Sequence, residues 1–279
     1  MEQNQPYLER FLNMNIMFSC NGLSCEDFFE FREWSNLNFP IHCHYSIEFV
    51  FCKSGSLIVE KEEAEFSLTE GDLLVVMPFE KHSFVSHKES ETFIVQFSPK
   101  LISQYDTMFR NKRFKNPLLK LSSCDIAKIY DFLCGEDFDL TIAANYIFFQ
   151  AVAGLMKNNE LMSFGGNDDL FCRVLLYVSN HFEEDLTLKK IAVEMNVSYE
   201  YLSRMFIEKS GMHFSDFICT FRLQKALALF CDHSKNISQV CFSCGFGSIR
   251  NFNKVFLREM NCTPSEYRKK LALAKNATN

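Results

Sequence analysis

The sequence predicts an α+β protein: a strand-built N-terminal domain, a helical segment, and an all-α C-terminal domain. Three observations carry this. Up to about residue 100, short apolar runs alternate with turn residues. From about residue 101 the apolar positions recur three and four apart, as on a helix. The C-terminal part repeats itself at an offset of 49 to 50 residues. A chain of 279 residues has room for about two domains. The expected boundaries are 1–100, 101–166 and 167–279.

The strand signal is clearest in SLIVEKEEAEFSLTEGDLLVVMPFEKHSFVS and again from Thr92 to Phe97. Gly55, the Glu70-Gly71-Asp72 turn and Pro78 punctuate these runs, and the spacing suits a sandwich or small barrel. The 31 phenylalanines imply bulky cores or an apolar cavity. The opening MEQNQPYLER is acidic and polar where a signal peptide would be basic and then apolar, so a cytoplasmic location is expected. The 12 cysteines fit that compartment as small apolar residues. Cys241 and Cys244 form a CxxC, with no second pair to complete a tetrahedral metal site.

Helical periodicity covers 121–134 and 138–162, where Ile142, Tyr146, Phe149 and Ala153 share one stripe. The uncharged run LTIAANYIFFQAVAGLM barely reaches spanning length and is broken by Thr141, Asn145 and Gln150. A buried or dimer-forming helix is therefore expected, and no membrane span. SFGGNDD, residues 163–169, reads as a linker. Beyond it, Phe171, Val174, Leu175, Val178 and Phe182 restart a helical stripe.

Charge is unevenly spread. Residues 1–166 hold 14 Lys+Arg against 23 Asp+Glu, whereas 167–279 hold 15 against 12. Arg250, Lys254, Arg258, Arg268, Lys269, Lys270 and Lys275 concentrate the positive charge near the end, which suggests a polyanionic partner for that half.

The internal repeat aligns IAVEMNV (191–197) with VCFSCGF (240–246), then LSRMF (202–206) with FNKVF (252–256). Each copy has a small residue on a first helix (Ala192, Cys241) and a turn residue tolerant of φ > 0 (Asn196, Gly245). An apolar wedge follows (Val197, Phe246), then a second helix with buried positions Leu202, Met205, Phe206 or Phe252, Val255, Phe256. This is helix-turn-helix grammar, in which the second helix keeps its opposite face free for a major groove. Thr263-Pro264-Ser265-Glu266 reads as a helix start, and Ser215 as another cap.

These segments, VSYEYLSRMFIEKSGMHFSDFICTFRLQKA and ISQVCFSCGFGSIRNFNKVFLREMNCTPSEYR, resemble the tandem helix-turn-helix of the AraC/XylS regulators over roughly 170 to 270. Cys241 departs from the usual alanine and Asn261 from the usual glycine, both tolerably. The resemblance implies base-facing Glu200, Ser203 and Arg204 in the first copy, and Ile249, Arg250, Asn253 and Lys254 in the second. Lys254 and Arg258 have phosphate contact as an alternative, and Arg222 a structural role between helices. It also implies a double-stranded DNA operator, a small-molecule effector, RNA polymerase and a second copy of the chain as partners, with activation the usual sense.

The N-terminal half is similar to the cupin-type barrel. His42-x-His44-x3-Glu48-x6-Gly55 matches the first cupin motif, and GDLLVVMPFEKH with Pro78 and His82 resembles the second. The latter departs by one extra residue between Gly71 and Pro78, and by Glu80 where glycine is usual. His42, His44, Glu48 and His82 are the candidate effector-binding residues, and the same donors suit a transition metal. The expectation is a sensor without a catalytic residue and without a cofactor. Phe39, Phe49, Phe51, Phe84 and Phe97 are expected to line or support the pocket, with plain core packing as the alternative. Competing functions are a cupin metalloenzyme carrying a DNA-binding tail, and a constitutive DNA-binding dimer that needs no effector.

Overall fold

The computed structural model describes residues 17–19, 28–86, 89–102, 104–109, 112–135, 139–157, 160–163, 167–230 and 235–277. The opening MEQNQPYLER and residues 164–166 of the expected linker lie outside them; Asn167–Asp169 already belong to a helix. The chain divides into two compact units, the break falling between Asp169 and Leu170.

The first unit is built on β1 (Met17–Ser19), β2 (Phe29–Ser35), β3 (Phe39–His44), β4 (Ile47–Lys61), β5 (Ala64–Thr69), β6 (Asp72–Val76), β7 (His82–Val85) and β8 (Ser90–Phe97). Strand β4 holds it together. Its first half pairs with β6 and β8, and its second half with β5 and β7, so one strand runs through two walls. Gly55, expected to end a strand, instead lies inside β4 beside an irregularity in its pairing with β8 between Cys52 and Ser54. There φ is +75°, and a Cβ would stand 1.9 Å from the Glu89 carbonyl oxygen. Glycine permits the bend that hands the strand from one wall to the other.

Strand periodicity then explains the two cores. On β4, Val50, Cys52, Leu57 and Val59 join Leu37, Leu68, Leu74, Val76 and Phe84 in one buried cluster. Phe49 and Phe51, pointing the other way, join Phe93, Val95 and Phe97 of β8 in a second. That second face must be covered, and the segment after residue 100 covers it. It comprises α1 (Tyr105–Met108), β9 (Lys112–Phe114), β10 (Leu118–Lys120), α2 (Ser123–Leu133), α3 (Leu140–Leu155) and β11 (Leu161–Ser163). Ile126, Ile129 and Leu133 of α2 and Ala144, Ile147, Phe148 and Val152 of α3 enter the core shared with Phe49, Phe51 and Phe97. A fully buried Phe contributes roughly 1.5–3 kcal/mol by removal from water. The three short strands of this segment were not visible in its helical periodicity; each has three residues, too few for an alternation to register.

The second unit is helical: α4 (Asn167–His181), α5 (Leu188–Glu194), α6 (Tyr199–Ser210), α7 (Phe214–Leu229), α8 (Ile237–Ser243), α9 (Ile249–Met260) and α10 (Pro264–Ala277). Thr187, Ser198, Asn236 and Ser248 cap α5, α6, α8 and α9, each side-chain oxygen accepting from a backbone N–H of the first turn. Thr263 and Glu266 form the reciprocal pair expected at the start of α10. Ser215 is not a cap. Helix α7 begins one residue before it, and its first bonds run to the carbonyl of His213. Phe217 and Phe221 of α7 stack into a chain of rings with Phe182 and Phe206, while Leu223, Ala226 and Phe230 enter the core of the second repeat. One helix thus serves both copies. Cys241 and Cys244 are buried in the latter core, where burial pushes the Cys244 thiol up to about 12, so the CxxC packs as apolar side chains.

Candidate functional site

Strand β3 presents His42 and His44 on one face by period-two alternation, and β7 sets His82 directly opposite His42 in register. Glu48, at the start of β4, is paired in register with Gln96 of β8. All four sequence-predicted residues meet, and all are buried. One potential ligand atom from each lies within 4.8 Å of the others. The His44 Nε2 stands 2.9 Å from Glu48 Oε2, and His82 Nε2 stands 3.6 Å from Glu48 Oε1. Gln96 Nε2 donates to Glu48 Oε2 at 2.8 Å. The Nδ1 atoms of His42, His44 and His82 lie 2.9–3.0 Å from the carbonyls of Pro40, Ser46 and Glu80.

Electrostatics follow from burial. Removal from water, reinforced by the two neighbouring imidazoles, holds His42 well below its usual value. Burial lowers His44 too, against the opposing pull of Glu48. Burial pushes Glu48 up, but the hydrogen bond from His44 and the proximity of His44 and His82 outweigh it and leave the carboxyl well below the usual range. Burial thus favours neutral His42 and His44 beside an ionised Glu48.

A turn locks the arrangement. Met77 to Glu80 closes with Glu80 N–H donating to the Met77 carbonyl, and Phe79 sits at φ +68°, where glycine is the ordinary choice. Phe79 N–H also donates to the carbonyl of His44 at 2.7 Å, tying the turn before His82 to the strand of the other histidines. Glu80, read in the sequence only as a departure from a motif, is fully buried and ion-paired with Lys61 at 2.6 Å. Phe39 and Phe84 flank His42, with ring centroids 4.6 and 5.8 Å away. Phe49, Phe51 and Phe97 do not line this site: they point to the opposite face and pack under the helices.

The second candidate surface is the repeated helix pair. In both copies the wedge residue's N–H bonds to the small residue's carbonyl, Val197 to Ala192 and Phe246 to Cys241. The turn residues Asn196 and Gly245 take φ +56° and +77°. Leu202, Met205 and Phe206 of α6 and Phe252, Val255 and Phe256 of α9 are buried as the periodicity required. The remaining face stays open. Glu200, Arg204, Ile249, Arg250, Asn253 and Lys254 are exposed, and Ser203 is half-buried. Arg258 is held beside Asp216 and Glu259, and Arg222 donates to the carbonyls of Phe182 and Glu184, a structural clasp.

A two-walled sheet domain with a buried polar site, followed by a duplicated helix-turn-helix, defines a two-part protein of sensor-and-reader type. Residues 29–123 match the AraC-like ligand binding domain, and residues 191–270 match a helix-turn-helix domain. With both halves matched, the chain belongs to the AraC family. The HTH-type transcriptional activator RhaS of Citrobacter koseri is 26% identical over 136 residues, 48% of this chain and 49% of that protein. RhaS of Salmonella newport shows the same identity and coverage. The chain spans about half the length of the curated relatives it matches. ToxT from Vibrio cholerae is similar in structure with a TM-score of 0.52 at 15% identity, over 86% of this chain and 97% of that one. That likeness shows a shared fold. Among the described residues no helix is long and apolar enough to cross a membrane.

Proposed function

We propose that the chain is a cytoplasmic, sequence-specific DNA-binding transcription regulator whose N-terminal unit binds a small ligand and gates the C-terminal reader. One observation carries the reading: α6 and α9 each bury one stripe and expose an opposite face of polar and basic side chains. A helix with that division fits a major groove, its N-terminal turns meeting base edges. Arg204 and Arg250 suit guanine O6 and N7, Asn253 suits adenine, Glu200 accepts from cytosine N4, and Ile249 meets a thymine methyl. Lys254 adds charge for phosphate. The matched ligand-binding domain supports gating by an effector, and the relation to an activator supports activation through contact with RNA polymerase. We read the chain as a binding protein and not as an enzyme.

The exposed stripe of α3 supports a homodimer. Ile142 and Phe149 are 64% and 38% exposed although large and apolar, and Thr141, Asn145, Tyr146 and Ala153 complete a groove around them. The test of the main reading is selection from a random duplex pool by the full chain. One recurring site is the expected result; recovery of unrelated sequences would remove the regulator.

A further inference from the structure

Helix α7 belongs to both copies of the repeat, and two bodies joined by one helix are free to swing about its ends. It packs against the first copy through Phe217, whose ring meets Phe206, and against the second through Leu223, Ala226 and Phe230. A further point of attachment removes that freedom, and it lies at the corner between α4 and α5. Arg222 of α7 grips this corner with its guanidinium: Nε donates to the Phe182 carbonyl at 2.8 Å and Nη2 to the Glu184 carbonyl at 2.7 Å. The Glu184 carbonyl also accepts from Leu186 N–H at 2.8 Å, just ahead of α5. The second copy rests on the same spot. A Cβ at Gly245 would lie 2.5 Å from the Phe182 carbonyl oxygen and 2.7 Å from Glu183 Cα, so the backbone of the α8–α9 turn is in close contact with the corner. Gly245 stands three residues before Ser248, the cap of α9.

We propose that this three-way junction sets the spacing and rotation of α6 relative to α9, and that Arg222 is the positioning residue that makes the chain sensitive to the distance between the two duplex segments it reads. One base pair of B-form duplex is about 3.4 Å of rise and, at roughly 10–10.5 pairs per turn, about 35° of rotation. Two readers on one rigid frame engage together at the matching separation and not at others. Joined loosely, they lose part of the gain from simultaneous binding but tolerate other separations. A planar guanidinium with two donors at fixed angles resists both sliding and twisting of the corner, which a single ammonium on a flexible stem does not. Gly245 supplies the other half of the device: without a side chain, the turn of the second copy reaches the very carbonyl that Arg222 holds. The junction rests on this geometry; its expression in DNA selection rests on the regulator reading above.

The experiment uses the full-length chain and the duplex it selects, in versions with one base pair inserted or removed between the segments read by α6 and α9. Wild type should lose at least roughly tenfold in affinity at either altered spacing. Arg222→Ala should bind the native spacing about tenfold more weakly, yet lose about threefold or less when the spacing changes. Arg222→Lys keeps the charge without the fork; it should flatten the profile likewise, and it carries the test if Arg222→Ala does not fold. Val174→Ala, a core truncation in α4 about two turns before the corner, controls for lost stability and should keep the wild-type profile. A wild type indifferent to spacing, an equal loss at every spacing in the folded Arg222 variants, or a flattened profile in Val174→Ala would each overturn the proposal. A second readout needs no DNA: electron-spin distances between labels on non-natural residues at Ile207 and Leu257, exposed and equivalent positions of α6 and α9. The distance distribution should broaden at least about twofold in the Arg222 variants; an unchanged width would overturn the junction. A broadened distribution in a chain that selects no duplex spares the junction and removes the regulator, while an unchanged width in a chain that selects one does the reverse.

Discussion

Asn196 and Gly245 hold equivalent corners of the two repeats, both in the left-handed region, yet only one corner has no room for a side chain. At Gly245 a Cβ would lie 2.5 Å from the Phe182 carbonyl oxygen and 2.7 Å from Glu183 Cα. Gly211, at φ +73°, meets nothing within 4 Å. Gly245→Ala should therefore cost on the order of 3 kcal/mol, combining backbone strain with a clash, and Gly211→Ala only about 1 kcal/mol. Thermal melts of the two variants check the order; equal losses would mean that the close approach has no energetic weight. For the exposed arginines the expected readout is specificity. Arg204→Ala or Arg250→Ala should relax preference at one base pair by about 1–3 kcal/mol while sparing the rest of the site. A uniform loss over all sequences would assign that arginine to phosphate. At this scale the sequence was most readable where spacing is local. His42, His44 and Glu48 fall within seven residues, and the local motif marks them. No local pattern marks Gln96 or the Lys61–Glu80 pair, because the partners lie 48 and 19 residues apart in the chain.

Among the elements, helices declared themselves better than strands. The stripes of α6 and α9 fill cores as their three-and-four spacing demands, and the capping residues at Thr263 and Glu266 stand where the motif put them. At Gly55 in β4 the sequence is ambiguous, because a bulge and a strand end use the same residue and only the pairing partners tell them apart. Helix α3 shows a different limit. Its stripe through Ile142, Tyr146, Phe149 and Ala153 was legible, but the core took the neighbouring face with Ala143, Ala144, Ile147, Phe148 and Ala151. In a helix this apolar all round, periodicity does not say which side is inside. The uncovered side yields an element-scale prediction. Phe149→Asp should shift sedimentation from dimer towards monomer with little change in melting temperature, since the ring is outside the core. A wild type already monomeric at high concentration would contradict the dimer.

At the scale of the whole chain, sheet and helix segments are interdependent within the first unit. The wall of β8, β6 and the first half of β4 is apolar on both faces, so it requires a second layer, and α2 and α3 supply it. Fold class and the order of strand-rich and helical parts were legible because the periodicity changes once near residue 101 and the repeat is long. The division of labour inside the first unit was not, since it depends on which face of each strand turns to which layer. The central claim is that the second unit reads duplex DNA by sequence. Its most direct test is a salt titration of the full chain on its selected duplex and on an unrelated duplex of equal length. The account predicts affinity falling at least roughly tenfold between about 50 and 200 mM salt on both, with the selected site favoured by about a thousandfold or more at physiological salt. Equal affinity for the two duplexes, or binding indifferent to salt, would contradict it.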